Sequence, residues 1–572
     1  MDSSRTSAHR TVKANRISPE RFALVQFFLF AVLLTLLFQT AQLSIFYRSS
    51  LVERAASQHR LVIDIPPIRG SIQDRNGQGL AVNLTVPSIY AVPRLLTQKE
   101  KSKLVSELSH TLSLSPDFIQ ERLNRNKSFV WLKRRASIEE AKKVGALENS
   151  ALGILQEHRR FYPHGQLLAN VLGFTDVDNR GIEGIERTQE VELRGKAGKR
   201  YSRRDAFGRE IKAFEEKTIP SVDGHRLVLT IDRYLQYVTE RALERSYRQW
   251  KAKGAAAILM NPETGEILAM ATRPTFDPNQ PGNFSSENHR NRAVTDMFEP
   301  GSVFKIVAAT GLLGEHRVKM TEKINCESGA WTYGIKTLHD VHEYGSLTFP
   351  EVIVKSSNIG TAKLASRLSP STFYGYMQIF GFGSKTGIDL EGESPGFIRP
   401  PNQWSKTSPY AIPIGQEVTV TALQLARAIS LIANGGHLVE PYLIDRVEDV
   451  HGVTLRKHEI IRSEVKIPAP IIEVLKEILW RATEEGTGKM ARVKGITVAG
   501  KTGTAQKISG KGYSHSNFIG SFIGFAPADH PLLSMVVVID DPHPSYYGGT
   551  VAAPVFSEVM EAALAHLGYS PP

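Results

Sequence analysis

The stretch that decides the fold runs from Phe298 to Ala309 and reads Phe-Glu-Pro-Gly-Ser-Val-Phe-Lys-Ile-Val-Ala-Ala. Pro300 suits the start of a helix, and the apolar, alanine-rich run from Ile306 to Leu313 continues the helical pattern. A helix would place Ser302 and Lys305, three residues apart, on one face. A serine hydroxyl is a weak nucleophile until a base takes its proton, and a lysine serves as that base only when held neutral. The stretch therefore predicts a serine nucleophile paired with a lysine base.

The spacing of this pair is weak by itself, because about two serine–lysine pairs at this separation are expected by chance in a chain of 572 residues. Ser463 and Lys466 form such a pair. The run Ile-Pro-Ala-Pro follows them directly and disfavours a helix at that position. The assignment of Ser302 therefore depends on further motifs.

A second polar cluster, Ser356-Ser357-Asn358, offers a hydroxyl and an amide two residues apart. On a tight turn both side chains can point into a cleft, where the serine relays a proton and the asparagine holds a substrate amide. An N-cap or Asx turn opening a helix from Ile359 explains the cluster equally well. Ser286-Glu-Asn288 has the same spacing of serine and asparagine, so this triplet alone is a weak indication of function.

A third cluster, Lys501-Thr502-Gly503-Thr504, follows the run Gly495–Gly500, whose apolar and β-branched residues predict a strand. A cation at a strand edge can bind a carboxylate and bias a nearby amine toward neutrality, and Gly503 permits a close backbone approach. Lys385-Thr-Gly387 repeats the triplet, but it follows a predicted loop. We therefore place the site at Lys501.

These motifs resemble those of the penicillin-binding, active-site-serine transpeptidases. In that family Ser-x-x-Lys, Ser-x-Asn and Lys-Thr-Gly occur in this order, with more than a hundred residues between the first and the last. Here they begin at Ser302, Ser356 and Lys501. Other stretches are similar to family motifs as well: Arg69–Gly77, Arg160–Pro163, Gly181–Glu186 and Tyr547–Gly549.

The resemblance implies an α/β (α+β) transpeptidase domain in which an antiparallel sheet packs with helices, an N-terminal α+β pedestal and one transmembrane helix. It implies a Ser302 acyl-enzyme formed with wall stem peptides, or with β-lactams as inhibitors. The other roles that it implies are proton transfer by Lys305 and Ser356, donor orientation by Asn358, and carboxylate binding by Lys501 with Thr502 and Thr504, while Gly503 lies in the same substrate-binding motif. The backbone N–H groups of Ser302 and Thr504 would form an oxyanion hole by analogy.

Within the family, the chain is most similar to the monofunctional class B enzymes, because no domain for glycan polymerisation fits in the N-terminal part. Three stretches resemble the septal, cell-division member more than the elongation member: Lys355–Gly360, Phe380–Gly383 with Thr386–Leu390, and Gly415-Gln416. The implied partners are membrane proteins of the division machinery, including a lipid II polymerase.

The N-terminus predicts a membrane anchor. Phe22 to Phe38 is almost continuous hydrocarbon and extends to about residue 45, which is long enough to cross a bilayer. Basic residues outnumber acidic ones before it, so the tail is expected to stay cytoplasmic and the rest to be exported to the extracytoplasmic or periplasmic side of the inner membrane. The competing interpretation, a cleaved signal peptide, lacks a good cleavage site. The predicted organisation is a tail (1–21), an anchor (22–45), a pedestal (46–222) and a transpeptidase domain (223–572).

Composition excludes several other classes of protein. The net charge of +12 invites a nucleic-acid hypothesis, which we reject because no recognisable binding signature accompanies the charge. The 17 histidines are scattered and show no metal-ligand spacing, so neither metal nor cofactor is expected. Cys326, the one cysteine, is assigned no role.

Three rival functions stay open at this point. A carboxypeptidase or β-lactamase would use the same residues with water, although no Glu-x-x-Leu-Asn motif follows Ser302. A β-lactam-sensing receptor would need a larger cytoplasmic module than 21 residues. A non-catalytic division scaffold would keep the motifs only for folding.

Overall fold

The computed structural model describes residues 19–48, 51, 60–204, 210–211, 217–333, 336–509 and 512–570. The chain divides into two compact units. One comprises Met1–Pro66 with Ala197–Ser221, and the other comprises Pro67–Lys196 with Val222–Pro572.

The smaller unit contains the apolar N-terminal helix and a four-stranded sheet. Helix α1 (Pro19–Ala41) continues as one wider π-helical turn (Gln42–Phe46), and together they form a 28-residue helix with a mean hydropathy of 2.3. Its length and composition suit a membrane span, as the sequence predicts, and its apolar side chains are exposed. In the sheet, β6 pairs with β1, β7 and β8, all antiparallel. These strands are β1 (Arg60–Ile65), β6 (Gly198–Arg204), β7 (Glu210–Ile211) and β8 (Lys217–Ile219).

In the larger unit, a seven-stranded sheet joins segments from both sides of the predicted boundary at residue 223. The strand order is β18-β17-β9-β2-β3-β4, with β5 also pairing with β3. The β2–β9 pair is parallel and the others are antiparallel. The strands are β2 (Ile72–Gln73), β3 (Gly79–Ala91), β4 (Val130–Lys133), β5 (Leu152–Phe161), β9 (Arg226–Leu229), β17 (Ile444–Glu448) and β18 (Thr454–Lys457).

Helices α2 (Gln98–Leu112), α3 (Pro116–Asn124) and α4 (Ile138–Gly145) pack beside β3 and β4 through a shared apolar cluster. Thr97 and Ser137 form capping boxes at the starts of α2 and α4, which satisfy N–H groups that have no partner inside the helix. The sequence predicts helical runs at Lys99–Leu112 and Ile138–Leu147, and the structure confirms both, with the second helix ending at Gly145.

A buried ionic network lies in the N-terminal part of the larger unit. Glu186 is fully buried, and its two carboxylate oxygens accept from Arg69 Nε at 2.7 Å and from Arg160 Nε at 2.6 Å. Arg69 also donates to Glu190 at 2.6 Å. Burial alone would raise the pKa of Glu186, but Arg160 and Arg69 outweigh it and lower the pKa. The charged form of this carboxyl is therefore fully compensated.

The second sheet of the larger unit has five antiparallel strands in the order β11-β10-β22-β21-β20. Both of its faces are buried, and alternate residues of a strand enter different cores: Ile258 packs on one side, and Leu259 packs on the other. Helices α8 (Arg233–Gln249) and α19 (Ala553–His566) cover one face. The strands are β10 (Gly254–Met260), β11 (Ile267–Arg273), β20 (Ala499–Ser509), β21 (Gly512–Ala526) and β22 (Leu533–Asp540).

The other face of this sheet packs against two mostly apolar helices that are buried on all sides. Helix α11 (Lys305–Gly314) and helix α16 (Ala422–Ala433) are almost entirely buried. A helix that is hydrophobic all round belongs in a core. The predicted arrangement, a helix bearing the serine motif packed on an antiparallel sheet bearing Lys501, is confirmed.

From the order of the segments, the sequence predicts that residues from about 365 to 480 lie on the helical side of the catalytic domain, but this region also contains four strands. Residues Ile444–Glu448 read Ile-Asp-Arg-Val-Glu, which lacks the strict alternation of a half-buried strand, and they pair with β9 with a shift in register. The remaining strands form two-stranded pairs: β12 (Lys323–Asn325) with β15 (Ser346–Thr348), β13 (Ala330–Tyr333) with β14 (Lys336–His339), and β16 (His437–Val439) with β19 (Arg462–Lys466).

The remaining helices connect these layers. They are α5 (Ala169–Leu172), α6 (Gly184–Thr188), α7 (Glu190–Leu193), α9 (Ser286–His289), α10 (Arg292–Thr295), α12 (Phe349–Val354), α13 (Asn358–Ala365), α14 (Pro370–Ile379), α15 (Ser408–Ala411), α17 (Ala469–Glu484) and α18 (Gly548–Val551).

Candidate active site

Ser302 lies in a short 3₁₀ turn, Gly301–Phe304, that leads directly into helix α11. Pro300 takes the N-cap position of this turn rather than the first helical position. A 3₁₀ turn has three residues per turn, so residues 302 and 305 align along one edge. Ser302 lines a cleft of about 850 Å³ and is half-buried, whereas the Lys305 side chain is fully buried.

The amine of Lys305 is surrounded by neutral oxygen atoms. Its Nζ is 2.7 Å from Ser356 O, 3.3 Å from Ser356 Oγ and 2.8 Å from Asn358 Oδ1. Burial, followed by the neighbouring Lys501 cation, lowers the pKa of Lys305 well below its usual value, against a smaller opposing effect of Asp340. The site therefore favours a neutral amine, the form that can accept a proton.

The Ser356–Asn358 cluster combines the two roles that its sequence allows. Ser357 is the N-cap of helix α13, and its Oγ accepts from Gly360 N at 2.9 Å. Ser356 and Asn358, on either side of the cap, line the cleft with Ser302. Ser356 has φ +61°, a left-handed conformation that is unfavourable for a non-glycine residue and is often found at functional sites.

Asp340, which the sequence motifs do not reveal, holds this cluster in place. Its carboxylate accepts from Ser357 Oγ at 2.6 Å and from Ile359 N at 3.0 Å, and also from Asn358 N. The Asn358 amide is fixed at both ends, because its Nδ2 donates to His339 O at 2.9 Å while Oδ1 faces Lys305. No local pattern points to Asp340, since it comes from a loop 18 residues before Asn358.

Lys501 lies inside strand β20, at the edge of the five-stranded sheet. The strand begins at Ala499 rather than at Gly495, where the sequence predicts its start, because Gly495 has φ +74° and residues 493 to 496 form a turn. The Lys501 side chain is fully buried, and its Nζ lies 3.3 Å from Thr502 O. Burial lowers its pKa to about 7.

Strand β20 and the serine-bearing turn are in direct contact, and two glycines permit it. A Cβ on Gly503 would come within 2.9 Å of Val303 Cγ1 and 2.3 Å of Ser521 Oγ. A Cβ on Gly301, at φ +58°, would come within 2.7 Å of Thr504 O. These contacts place the Lys501–Thr504 motif beside Ser302, although about 200 residues separate them in the chain.

The two threonines of this motif also line the cleft and are held from outside the motif. Thr502 Oγ1 is 2.6 Å from Thr487 Oγ1, and Thr504 Oγ1 accepts from Gly548 N at 3.2 Å. Thr487 lines the same cleft and has no signal in the sequence. The cleft thus presents several hydroxyl groups next to a buried amine.

The second Lys-Thr-Gly triplet and the second serine–lysine pair do not line the cleft. Lys385 is exposed, and Thr386 is buried with its N and Oγ1 both 2.6 Å from Glu393 Oε1, so this triplet braces a loop away from the cleft. Ser463 and Lys466 belong to strand β19, which agrees with the prediction against a helix there.

No group of three or more potential metal ligands occurs within residues 19–48, 60–204 and the later described ranges. Cys326 is buried beneath the cleft, where Ser357 Oγ lies 3.4 Å from its Sγ, and burial raises the pKa of its thiol.

Two family models match the chain. The penicillin-binding protein transpeptidase domain matches residues 255–561, and the penicillin-binding protein dimerisation domain matches residues 64–229. The chain belongs to the penicillin-binding transpeptidase family. The two matches together correspond to the class B architecture that the sequence predicts. The exact boundary at residues 222 and 223 stays a prediction.

Known proteins and solved structures of this family are similar to this penicillin-binding protein over most of its length. Stage V sporulation protein D of Bacillus subtilis is 34% identical over 521 residues, which are 88% of this chain and 79% of that protein. Peptidoglycan D,D-transpeptidase FtsI of Escherichia coli is 32% identical over 558 residues, 96% of this chain and 92% of that protein. The crystal structure of penicillin-binding protein 3 from Mycobacterium tuberculosis, complexed with aztreonam, superposes with a TM-score of 0.69 at 28% identity, covering 89% of this chain and 98% of that one.

Proposed function

We propose that this penicillin-binding protein is a serine-type peptidoglycan D,D-transpeptidase that cross-links stem peptides through a Ser302 acyl-enzyme. The observation that carries the proposal is the buried Lys305 amine of lowered pKa, next to Ser356 and Asn358 and one 3₁₀ turn from Ser302. The names of relatives such as FtsI support the same reaction.

In the acylation step, Ser302 Oγ attacks the carbonyl carbon between two D-alanines of the donor stem peptide. Lys305 takes the hydroxyl proton as the C–O bond forms. The proton returns by way of Ser356 to the leaving nitrogen, the C–N bond breaks, and the terminal D-alanine departs. Ser356 is suited to this relay because its Oγ lies 3.3 Å from Lys305 Nζ.

The tetrahedral intermediate carries a negative charge on the former carbonyl oxygen. The backbone N–H groups of Ser302 and Thr504 would form the oxyanion hole, and the contact of the serine turn with strand β20 brings their two segments together. One such donor is typically worth about 3–4 kcal/mol. Lys501, with Thr502 and Thr504, would bind the donor carboxylate, while Asn358 orients the donor amide.

In the second step, an amine of another stem peptide attacks the Ser302 ester. The attacking amine gives up a proton to Lys305 as the new amide bond forms, the ester C–O bond breaks, and Lys305 returns a proton to the serine oxygen. β-Lactams would acylate the same serine, because their strained amide imitates the D-alanyl bond.

The biological setting is also part of the proposal. Helix α1 with its π-helical extension would anchor the protein in the inner membrane, with the tail in the cytoplasm and the catalytic unit outside it. The resemblance to FtsI favours septal wall synthesis with membrane partners of the division machinery, including a lipid II polymerase. Roles in elongation or sporulation would use the same site. The sporulation protein of Bacillus subtilis is 34% identical to this chain, and FtsI of Escherichia coli is 32% identical.

The test is a cross-linking assay with the full-length protein in detergent, supplied with uncross-linked glycan strands. We expect cross-linked muropeptides, whose formation penicillin abolishes and the Ser302→Ala variant lacks. Cross-linking that persists in Ser302→Ala would contradict the assignment of the nucleophile. In cells that depend on this protein, Ser302→Ala should fail to support growth, whereas a non-catalytic scaffold would still support it.

A further inference from the structure

The carboxyl group of Glu299 lies in the wall of the cleft, three residues before Ser302, and only 7% of this residue is exposed. Its Oε1 accepts from Glu417 N at 2.9 Å and from Tyr513 Oη at 3.2 Å. Its Oε2 accepts from no residue in the described part of the chain, and protein atoms do not enclose it. One oxygen is therefore held by the protein, and the other remains available to a ligand.

The second carboxylate in the cleft wall differs in this respect. Asp340 uses both of its oxygens on the start of helix α13, where they accept from Ser357 Oγ and from the N–H groups of Asn358 and Ile359. Among the described residues that line the cleft, Glu299 is thus the one acid with an unused oxygen.

Glu299 also lacks a protein cation. No lysine, arginine or histidine of the described residues lies within ion-pair distance of it, although Lys355 and Lys489 line the same cleft. Burial, and to a lesser extent the Glu417 carboxylate, raise its pKa to about 7 against the opposing effects of the Glu417 N–H and the Tyr513 hydroxyl. A buried carboxylate without a counter-ion is unfavourable, so a positively charged ligand would be favoured here.

We propose that Glu299 binds a primary ammonium group of the peptidoglycan stem peptide through Oε2. This inference rests on the proposed transpeptidase function and names a subsite of the same cleft. A stem peptide that is cross-linked through a side-chain amine carries that amine on the donor strand and on the acceptor strand alike. The two strands present the same ammonium group, and kinetic measurements distinguish which of them Glu299 binds.

A purely structural role for Glu299 would use only Oε1. Through that oxygen it fixes Glu417. Gly415, two residues earlier in the chain, packs against the serine turn, and its carbonyl oxygen accepts from Gly301 N at 3.1 Å. A glutamine amide oxygen can accept the same two hydrogen bonds without a charge. Glu299→Gln therefore separates the holding role from the recognition of an ammonium group.

The experiment compares full-length wild type and Glu299→Gln in detergent, with soluble stem peptides ending in D-alanyl-D-alanine. The donor's side-chain amine is either free or acetylated, and kcat/KM of acylation is measured for both. In a second arm, the acetylated donor is used, and the ratio of aminolysis to hydrolysis is measured with a peptide amine as acceptor. A charged hydrogen bond of this kind is expected to change one of these ratios about tenfold.

If the donor amine is the ligand, wild type prefers the free-amine donor about tenfold and Glu299→Gln loses that preference. If the acceptor amine is the ligand, the ratio of aminolysis to hydrolysis falls about tenfold in the variant. Both ratios unchanged in Glu299→Gln would overturn the proposal. Glu343→Gln is the matched control, because it removes an exposed carboxylate beside the cleft residue His342 and should leave both ratios at the wild-type value.

The pH dependence of wild type supplies a test without substitution. Glu299 must be ionised to bind an ammonium group. The preference in kcat/KM should therefore be full above about pH 7 and decline as the pH falls. The titratable groups facing Glu299 are Glu417 and Tyr513. A preference that stays constant from about pH 5 to pH 8 would contradict the subsite. Penicillin acylation of Ser302, measured in parallel, tests the proposed function separately from this inference.

Discussion

Two regions of this penicillin-binding protein bury ionisable side chains, and the surroundings of these side chains are opposite in kind. In the pedestal, Glu186 is enclosed between Arg69 and Arg160, with ion pairs of 2.7 and 2.6 Å. In the cleft, Lys305 and Lys501 are equally buried, but their near neighbours are neutral oxygens and each other. The difference shows which buried charges serve folding and which serve chemistry.

The consequence appears in the pKa values. The pedestal carboxyl keeps its charge because its arginines outweigh burial, whereas the cleft lysines are pushed toward the neutral amine. A compensated charge is inert, and an uncompensated amine can accept a proton.

Lys305→Met should abolish most of the chemistry while sparing the fold. Without the amine, Ser302 has no base, and acylation by penicillin should slow by about 10³- to 10⁴-fold. The apolar side chain removes a buried amine that has no counter-ion, so the thermal midpoint should not fall. Stopped-flow acylation and a melting curve of the full-length protein check both expectations, and an acylation rate close to wild type would remove Lys305 from the mechanism.

Glu186→Gln should lower the stability of the fold and spare the chemistry. It leaves the buried guanidinium group of Arg160 without a carboxylate and Arg69 with Glu190 alone, which is expected to cost about 3–5 kcal/mol of unfolding free energy. Denaturant unfolding of the variant measures this loss. The control is Glu139→Gln, an exposed carboxylate of helix α4 whose contact with Lys142 is 3.8 Å, and which should change stability by less than about 0.5 kcal/mol. Equal stability of the two variants would contradict the structural role of the network.

Lys501→Met should reveal the cost of burying an amine. The pKa of Lys501 falls from 10.5 in the unfolded chain to about 7 in the folded protein, so below pH 7 folding must bury a charge. The variant should be more stable than wild type by about 4 kcal/mol at pH 7, and this gap should close as the pH rises toward 10.5. Unfolding at several pH values measures it, and a gap that widens with pH would have the wrong sign.

Lys385→Ala should have the smallest effect, although its triplet matches that of Lys501. Lys385 is exposed and lies away from the cleft, so acylation should stay within about twofold of wild type and stability within about 0.5 kcal/mol. Lys501→Ala, assayed beside it, should lose most of its reactivity toward substrates with a carboxylate. Equal losses in the two variants would undermine the choice between the triplets.

The sequence predicts those parts of the cleft that depend on local spacing. Ser302 and Lys305 share a turn, and the Lys501 motif follows an apolar run next to further strands, so the order of segments is enough to bring them together. Asp340 and Thr487 line the cleft from short connections after strand β14 and helix α17, and Glu417 contacts the cleft residue Glu299. Their contacts are set by tertiary packing, which no periodicity in their neighbourhood records.

The same limit applies to the fold. The hairpin of Gly254–Met260 and Ile267–Arg273 follows from two apolar runs around a turn, and it is confirmed. The pairing of Ile444–Glu448 with Arg226–Leu229 joins segments more than 200 residues apart, and the sequence Ile-Asp-Arg-Val-Glu has no alternation that would indicate a strand or its partner. The late start of strand β20 likewise reflects a glycine turn inside a run that is otherwise typical of a strand.

Intact-protein mass spectrometry after exposure to penicillin, followed by peptide mapping, tests whether Lys305 activates Ser302. We expect a single penicilloyl group, located on Ser302, and no such group on Lys305→Met after the same short exposure. A label on another residue, or no label on the wild-type protein, would contradict the claim that an uncompensated buried amine activates this serine.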